Sequence, residues 1–150
     1  MKALIARTHL NKESIEGKSY DQLEKLLQAI QKVTMSPLAI EAIYEHIDRI
    51  NSTTSEGKIL LKAIKDTESN IIKIAVKENV VPINYYRKLW MPLGMSAFGI
   101  PMGVVFGLSL KNMAFIGIGL PIGMALGLAL GTVKDQKALA EGRQLDFEAK

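Results

Sequence analysis

The stretches GIPMGVVFGLSL (residues 99–110) and GLPIGMALGLAL (residues 119–130) share the pattern G-x-P-x-G-x-x-x-G-L-x-L. Around them, residues 89–133 contain one charged side chain, Lys111, whereas residues 1–88 contain 14 Lys or Arg and 11 Asp or Glu. The chain therefore joins a charged amino-terminal region to an apolar region that carries an internal repeat.

The apolar region divides into two segments that are long enough to cross a bilayer. Residues 90–110 and 113–133 each provide 21 positions without a charge, and only Lys111 and Asn112 separate them. As helices rising about 1.5 Å per residue, both match a hydrocarbon core of roughly 30 Å. Two buried helices of a soluble core are the weaker alternative, because soluble helices of this length rarely lack a polar face. The sequence predicts an all-α fold with a transmembrane helical hairpin.

Aromatic and basic residues flank both segments. The residues predicted to anchor the hairpin at the membrane surface are Tyr85, Tyr86, Arg87, Lys88, Trp90, Lys111 and Lys134. Such belts are typical of the bilayer interface, and cytoplasmic loops carry an excess of Lys and Arg. Since the outer ends hold more basic residues than the turn, both termini are predicted to lie in the cytoplasm.

Glycine recurs every four residues in each segment. The predicted helix-packing residues are Gly99, Gly103 and Gly107 in the first, and Gly119, Gly123, Gly127 and Gly131 in the second. Small residues at this spacing let membrane helices approach closely. The two rows pack either against each other within one hairpin or against neighbouring copies, and the sequence leaves both arrangements open.

Two prolines lie at matching positions, Pro101 and Pro121, each ten residues from Lys111. If the chain reverses at Lys111, both lie at one depth, together with the pairs Gly99–Gly123 and Gly103–Gly119. Proline inside a helix removes a hydrogen-bond donor and tends to kink it. Paired kinks that shape the packing are the simpler interpretation, and a hinge is the alternative.

These glycine rows resemble the small bacterial glycine-zipper membrane proteins, over residues 90–133. The resemblance implies tight helix packing, homo-oligomers and a place in the bacterial inner membrane. The class is mixed, so the resemblance implies no particular activity.

The charged region is predicted to form three amphipathic helices at about 20–34, 37–50 and 56–78, with apolar side chains at helical spacing. Ser19 with Gln22 resembles a capping box for the first, and Ser36 followed by Pro37 is a start signal for the second. In the third, a short coiled-coil-like seam is predicted at Leu60, Ile64, Thr67, Ile71 and Ile74. The predicted organisation is a cytoplasmic helical region (1–83), a transmembrane hairpin (84–133) and a cytoplasmic tail (134–150). The third helix carries five lysines, Lys58, Lys62, Lys65, Lys73 and Lys77, with Asp66, Glu68 and Glu78 among them. They are predicted to form a solvated face, with contact to anionic lipid as the alternative.

Little in the sequence indicates catalysis. The chain has no Cys, and His9 and His46 stand isolated, without the spacing of metal ligands. Neither apolar segment contains an ionisable residue from which a proton relay could be built. A net charge of +4 with interleaved signs is unlike a nucleic-acid footprint. The sequence predicts no enzyme, no cofactor, no metal site and no nucleic-acid partner.

Two classes of function fit these features. In the first, the glycine-zipper segments self-assemble and the cytoplasmic helices engage a protein partner or the membrane surface. In the second, the hairpins form an oligomeric channel with an apolar gate. The first is favoured, because a lining without polar groups conducts poorly. The predicted partners are the lipid bilayer, further copies of the chain and a cytoplasmic protein.

Overall fold

The computed structural model describes residues 3–5, 7 and 13–149. Five helices account for most of this part of the chain, and it contains no β-strand. Three amphipathic helices come first, α1 (Ile15–Gln31), α2 (Pro37–Ser52) and α3 (Gly57–Lys77). Two longer apolar helices follow. The first apolar helix (Tyr85–Ser109) comprises α4 (Tyr85–Gly94), a π turn (Met95–Gly99) and α5 (Ile100–Ser109). The second (Met113–Ala140) comprises a 3-10 turn (Met113–Phe115) and α6 (Ile116–Ala140).

The chain divides into two compact units. The first holds the described residues up to 81 together with Leu145–Phe147, and the second holds Pro82–Gln144 with residues 148 and 149. The first boundary falls at 81/82, two residues before the predicted one at 83/84. Two further differences lie near the end of the chain. The second apolar helix continues beyond 133 to Ala140, and part of the predicted tail belongs to the first unit.

Helix α1 begins five residues earlier than predicted. Ser14 is its N-cap, and the Ser14 Oγ accepts a hydrogen bond from the Gly17 N–H at 3.0 Å. The predicted capping box of Ser19 and Gln22 lies inside the helix instead. There the Gln22 side chain donates to Glu68 Oε1 of α3 at 2.9 Å. Burial raises the pKa of the Glu68 carboxyl, and the hydrogen bond from Gln22 partly opposes this.

Ser36 starts α2 as its sequence predicts. The Ser36 Oγ accepts from the Ala39 N–H at 3.2 Å, and Pro37 occupies the first turn, where its missing donor costs nothing. A second contact comes from the end of α3. The Glu78 carboxylate accepts hydrogen bonds from the Ser36 N–H at 3.1 Å and from the Ser36 hydroxyl at 2.8 Å.

Helix α3 packs against both α1 and α2 and supplies the centre of the core in the first unit. Its buried residues are Leu60, Ile64, Thr67, Ile71 and Ala75. The predicted seam ended on Ile74, which is only half-buried, because the spacing of four continues to Ala75. The fully buried apolar side chains that α1 and α2 contribute are Leu23, Leu26, Ile43, Ile47 and Ile50.

The segment 145–147 completes this core. Leu145 and Phe147 are buried, and the Leu145 N–H donates to the Val81 carbonyl at 2.8 Å. Asp146, between them, is exposed and forms a salt bridge with Lys32 at 3.2 Å. Neither buried side chain belongs to a periodic stripe, so the sequence pattern gave no reason to expect their burial.

Candidate functional site

The hairpin of the second unit buries its glycines and exposes its large apolar side chains. Between residues 83 and 137, the only buried residues are eight glycines and Asp135. Large side chains such as Val105, Leu108 and Ile118 are 46–63% exposed. A soluble helical hairpin has the opposite arrangement, with large apolar side chains between its helices. This hairpin therefore has no ordinary hydrophobic core.

The two glycine rows face each other within the chain. A Cβ atom added to any of seven glycines would lie within 3.0 Å of a backbone atom of the opposite apolar helix; these are Gly94, Gly99, Gly103, Gly119, Gly123, Gly127 and Gly131. Real Cβ atoms essentially never approach so closely. Of the two arrangements that the sequence left open, the structure has the rows packed inside one hairpin.

The remaining glycines of the hairpin are less confined. A Cβ on Gly107 would lie 3.1 Å from the Ile116 side chain, and one on Gly117 would meet no atom within 4 Å. Gly117 lies on the outward face of the same helix that carries the second row. It therefore provides an internal reference for the packed positions.

The order of contacts along the helices follows the predicted depths. Gly123 lies against Gly99, and Gly119 lies against Gly103. These are the two glycine pairs that were expected to lie at one depth, but the rows are staggered, because Gly119 also contacts Gly99 and Gly123 also contacts Gly94. The hairpin reverses at Lys111, whose φ of 50° is left-handed, and Asn112 Oδ1 then accepts from the Ala114 N–H at 3.0 Å.

Gly94 belongs to the first row although its spacing hides it. It precedes Gly99 by five residues, whereas the other members of the row are four apart. The π turn Met95–Gly99 lies in this interval, and the Ile100 N–H bonds to the Met95 carbonyl five residues back. A π turn inserts one residue into a helix. The extra residue returns Gly94 to the face occupied by Gly99.

The two candidate hinge prolines occupy different settings. Pro101 lies in the first turn of α5, directly after the π turn, where the backbone hydrogen bonds already depart from the regular α-helical pattern. Pro121 lies inside α6, which continues through it. Both are exposed on the outward faces of their helices. A hinge at these positions stays a prediction.

Asp135 closes the hairpin at the end opposite the turn. It is only 7% exposed, and its two carboxylate oxygens accept hydrogen bonds from the N–H groups of Tyr86 and Arg87 at 3.0 and 2.9 Å. These donors belong to the first turn of α4, whose N-cap residue Asn84 makes no side-chain capping bond. A carboxylate is favourable there, since the helix N-terminus carries partial positive charge. Asp135 also extends the row of Gly127 and Gly131 by one step of four.

The predicted interface residues cluster around this end. The Lys134 Nζ lies 5.6 Å from the ring centroid of Tyr86 and 5.3 Å from that of Trp90, both within cation–π range. Tyr85 packs edge-to-face on Tyr86 with centroids 5.3 Å apart. The backbone of Arg87 lies against Gly131.

Lys88 is bound by the last described residues. It forms a salt bridge with Glu148 at 3.2 Å. A hydrogen bond from Asn84 and the nearby Lys88 hold the pKa of the Glu148 carboxyl below its usual value. Lys111 is exposed at the turn, away from the other predicted anchors.

Groups with other chemistry are sparse in the described ranges. They contain no cluster of three or more His, Asp or Glu side chains that could hold a metal ion. His46 is half-buried on α2, and His9 lies outside the described residues.

No protein-family model, curated protein or solved structure matches this chain. We therefore infer its function from the geometry of the chain itself.

Proposed function

We propose that the protein is an integral membrane protein whose hairpin spans the bilayer twice and anchors the first unit at the membrane surface. The observation that carries this proposal is the reversed burial pattern of the hairpin. Its buried face is glycine and its exposed face is apolar, so the large side chains have no partner in water. In a bilayer the same side chains contact lipid, and close backbone packing holds the helices together.

The lengths of the helices support the same conclusion. Both helices, 25 and 28 residues long, are apolar enough to span a membrane. At about 1.5 Å per residue, each exceeds a hydrocarbon core of roughly 30 Å. The Tyr86, Trp90 and Lys134 cluster at one end has the composition of a membrane–water interface.

The orientation we propose places the open end of the hairpin, and with it both termini, in the cytoplasm. Arg87, Lys88, Lys134 and Lys137 lie at or just beyond this end, whereas the turn carries Lys111 alone. This asymmetry favours a cytoplasmic open end by the positive-inside rule. A bacterial inner membrane is the proposed location, on the resemblance to glycine-zipper proteins.

The packed glycines bear on the two candidate functions. Because the opposite helix of the same chain covers each row, a second copy cannot use a row unless the hairpin opens. This favours an anchor over a ring of hairpins around a pore. Self-assembly through the glycine-zipper segments, which would then require an open hairpin, stays a prediction, as does recruitment of a cytoplasmic protein by the first unit.

Cysteine accessibility tests the proposal, since the chain has no native Cys. We expect Met113→Cys, beside the turn, to react with a membrane-impermeant maleimide from the periplasmic side. Gln136→Cys, exposed near the open end, is its matched control and should react only after the membrane is opened. Equal labelling of both variants in intact cells, or release of the protein by alkaline carbonate, would contradict a two-span anchor.

A further inference from the structure

The outward face of α3 carries a row of lysines. Lys58, Lys62, Lys65 and Lys73 are all exposed, with the exposed Ser69 among them. At 3.6 residues per turn they fall within about 80° of arc, opposite the buried seam of the same helix. We call these four side chains the lysine face.

Two of the acidic residues that the sequence places near these lysines form hydrogen bonds with neighbouring helices instead. Glu68 accepts a hydrogen bond from Gln22 of α1, and Glu78 accepts two from Ser36 at the start of α2. Both carboxylates are thus engaged with neighbouring helices. Asp66 is the one acidic residue of α3 that remains exposed beside the lysine face.

The lysine face also has no close ion pair in the described part of the chain. Among the described residues, none of its four lysines forms a salt bridge, whereas Lys32, Lys88 and Lys137 each do. Exposed lysines are often simply solvated. Here, however, four of them share one side of a helix with Asp66 as the one exposed acid of α3, and only Lys65 also interacts electrostatically with Glu68, so the face keeps a net positive charge.

We propose that the lysine face binds anionic phospholipid headgroups of the membrane in which the same chain is anchored. This inference rests on the proposed function. Positive charge of this kind complements an anionic leaflet, and each lysine near such a surface contributes about fivefold in affinity. Exposed Ile59, next to Lys58, is 69% accessible and supplies an apolar side chain for the headgroup region.

A short linker joins the helix that carries the lysine face to the first apolar helix. Lys77 ends α3 and Tyr85 begins the first apolar helix, so eight residue steps connect them. Fully extended, they span at most about 29 Å. A tether of this length gives the face a high effective concentration at the membrane, so weak individual contacts suffice.

Energy transfer to the bilayer tests this inference on the full chain. A donor on Ser69→Cys, in the middle of the lysine face, reports its distance to acceptor-labelled headgroups in nanodiscs. We expect stronger transfer with one-third phosphatidylglycerol than with phosphatidylcholine alone, and loss of the difference in 0.5 M salt, where charges are screened beyond about 4 Å. Equal transfer in the two lipids at low salt would overturn the proposal.

Charge variants distinguish an effect of the lysine face from an effect of the protein's net charge. Lys62→Glu with Lys65→Glu should lower the ratio of docked to undocked molecules by at least about 25-fold. Lys18→Glu with Lys25→Glu, exposed on α1, makes the same change in net charge and should leave the ratio within about twofold. Equal losses in the two variants would assign the effect to net charge and refute a specific face.

The same preparation distinguishes this inference from the proposed function. If the protein fails to incorporate into phosphatidylcholine nanodiscs, the membrane anchor itself is wrong. If it incorporates and the lipid charge has no effect on transfer, the anchor stands and the lipid-binding face is refuted.

Discussion

Adding one methyl group to the glycine contact should separate the two apolar helices. In Gly123→Ala the new Cβ would lie 2.5 Å from both the Gly94 carbonyl oxygen and the Gly99 Cα. Carbon atoms pack best at about 3.5–4.0 Å, so the helices must move apart by about 1 Å. The matched control is Gly117→Ala on the same helix, where the Cβ meets no atom within 4 Å.

The magnitude follows from the difference between the two variants. Alanine favours the helix over glycine by about 1 kcal/mol, and this contribution is common to both and cancels. Overpacking by one carbon costs about 1–3 kcal/mol. The upper end applies here because the opposing atoms are backbone and cannot rotate away. We expect Gly123→Ala to be less stable than Gly117→Ala by about 3 kcal/mol.

A donor–acceptor pair on Leu89→Cys and Val133→Cys, both exposed, reports separation of the helices during SDS titration in mixed micelles. Gly123→Ala should separate at a lower SDS fraction than the parent, and Gly117→Ala at an equal or higher one. Equal midpoints for the two variants would mean that the glycine rows do not pack as described.

Three further changes test other parts of the structure. Asp135→Ala should lower the stability of the hairpin by about 2 kcal/mol, because two N–H groups of α4 lose their acceptor, and Asp135→Asn should have an intermediate effect. Hydrogen exchange of the Tyr86 amide measures this loss, and unchanged exchange would contradict the capping role of Asp135. Deleting Ala97 converts the π turn to α-helix and keeps the glycine row in register, whereas deleting Ile100 leaves Gly99 and Gly103 only three residues apart and breaks it. Only the second deletion should therefore lower energy transfer between labelled helices, and equal loss in both would refute the role of the π turn. Burial raises the Glu68 pKa in the folded state, so the folded protein gains stability as the pH falls through the folded-state pKa, and the gain is complete below the unfolded-state pKa. Glu68→Gln should remove this pH-dependent gain and stabilise the protein at neutral pH. An unchanged pH slope of the urea midpoint in this variant would exclude Glu68 as the source of the pH dependence.

The approximate extents of the two apolar helices could be predicted from the sequence because charge is absent from residues 89–133 apart from Lys111. Their ends could not. Lys134 marks the end of the uncharged stretch, yet α6 continues to Ala140 and uses Asp135 to cap the neighbouring helix. A carboxylate beyond a span looks like solvent-exposed charge unless its step of four from Gly131 is noticed.

The partner of each glycine row was also beyond the sequence. Glycines spaced four residues apart show that one face of a helix lacks side chains, but they do not show which helix packs against that face. Gly94 was missed because a regular helix places residues five apart on different faces, and only the π turn brings it back. The start of α1 was misplaced for a similar reason, since Ser14 and Ser19 are both acceptable N-caps and the surrounding packing decides between them.

The most direct test of the glycine-packed hairpin is a solid-state NMR measurement on the protein in bilayers, with glycine Cα atoms labelled with carbon-13. The structure predicts Cα–Cα correlations for Gly99 with Gly123 and for Gly103 with Gly119. Their intensity per labelled chain should be unchanged when labelled chains are diluted tenfold with unlabelled ones, because both contacts lie within one molecule. Disappearance of these correlations on dilution would show that the glycine rows join different copies and would contradict the closed hairpin.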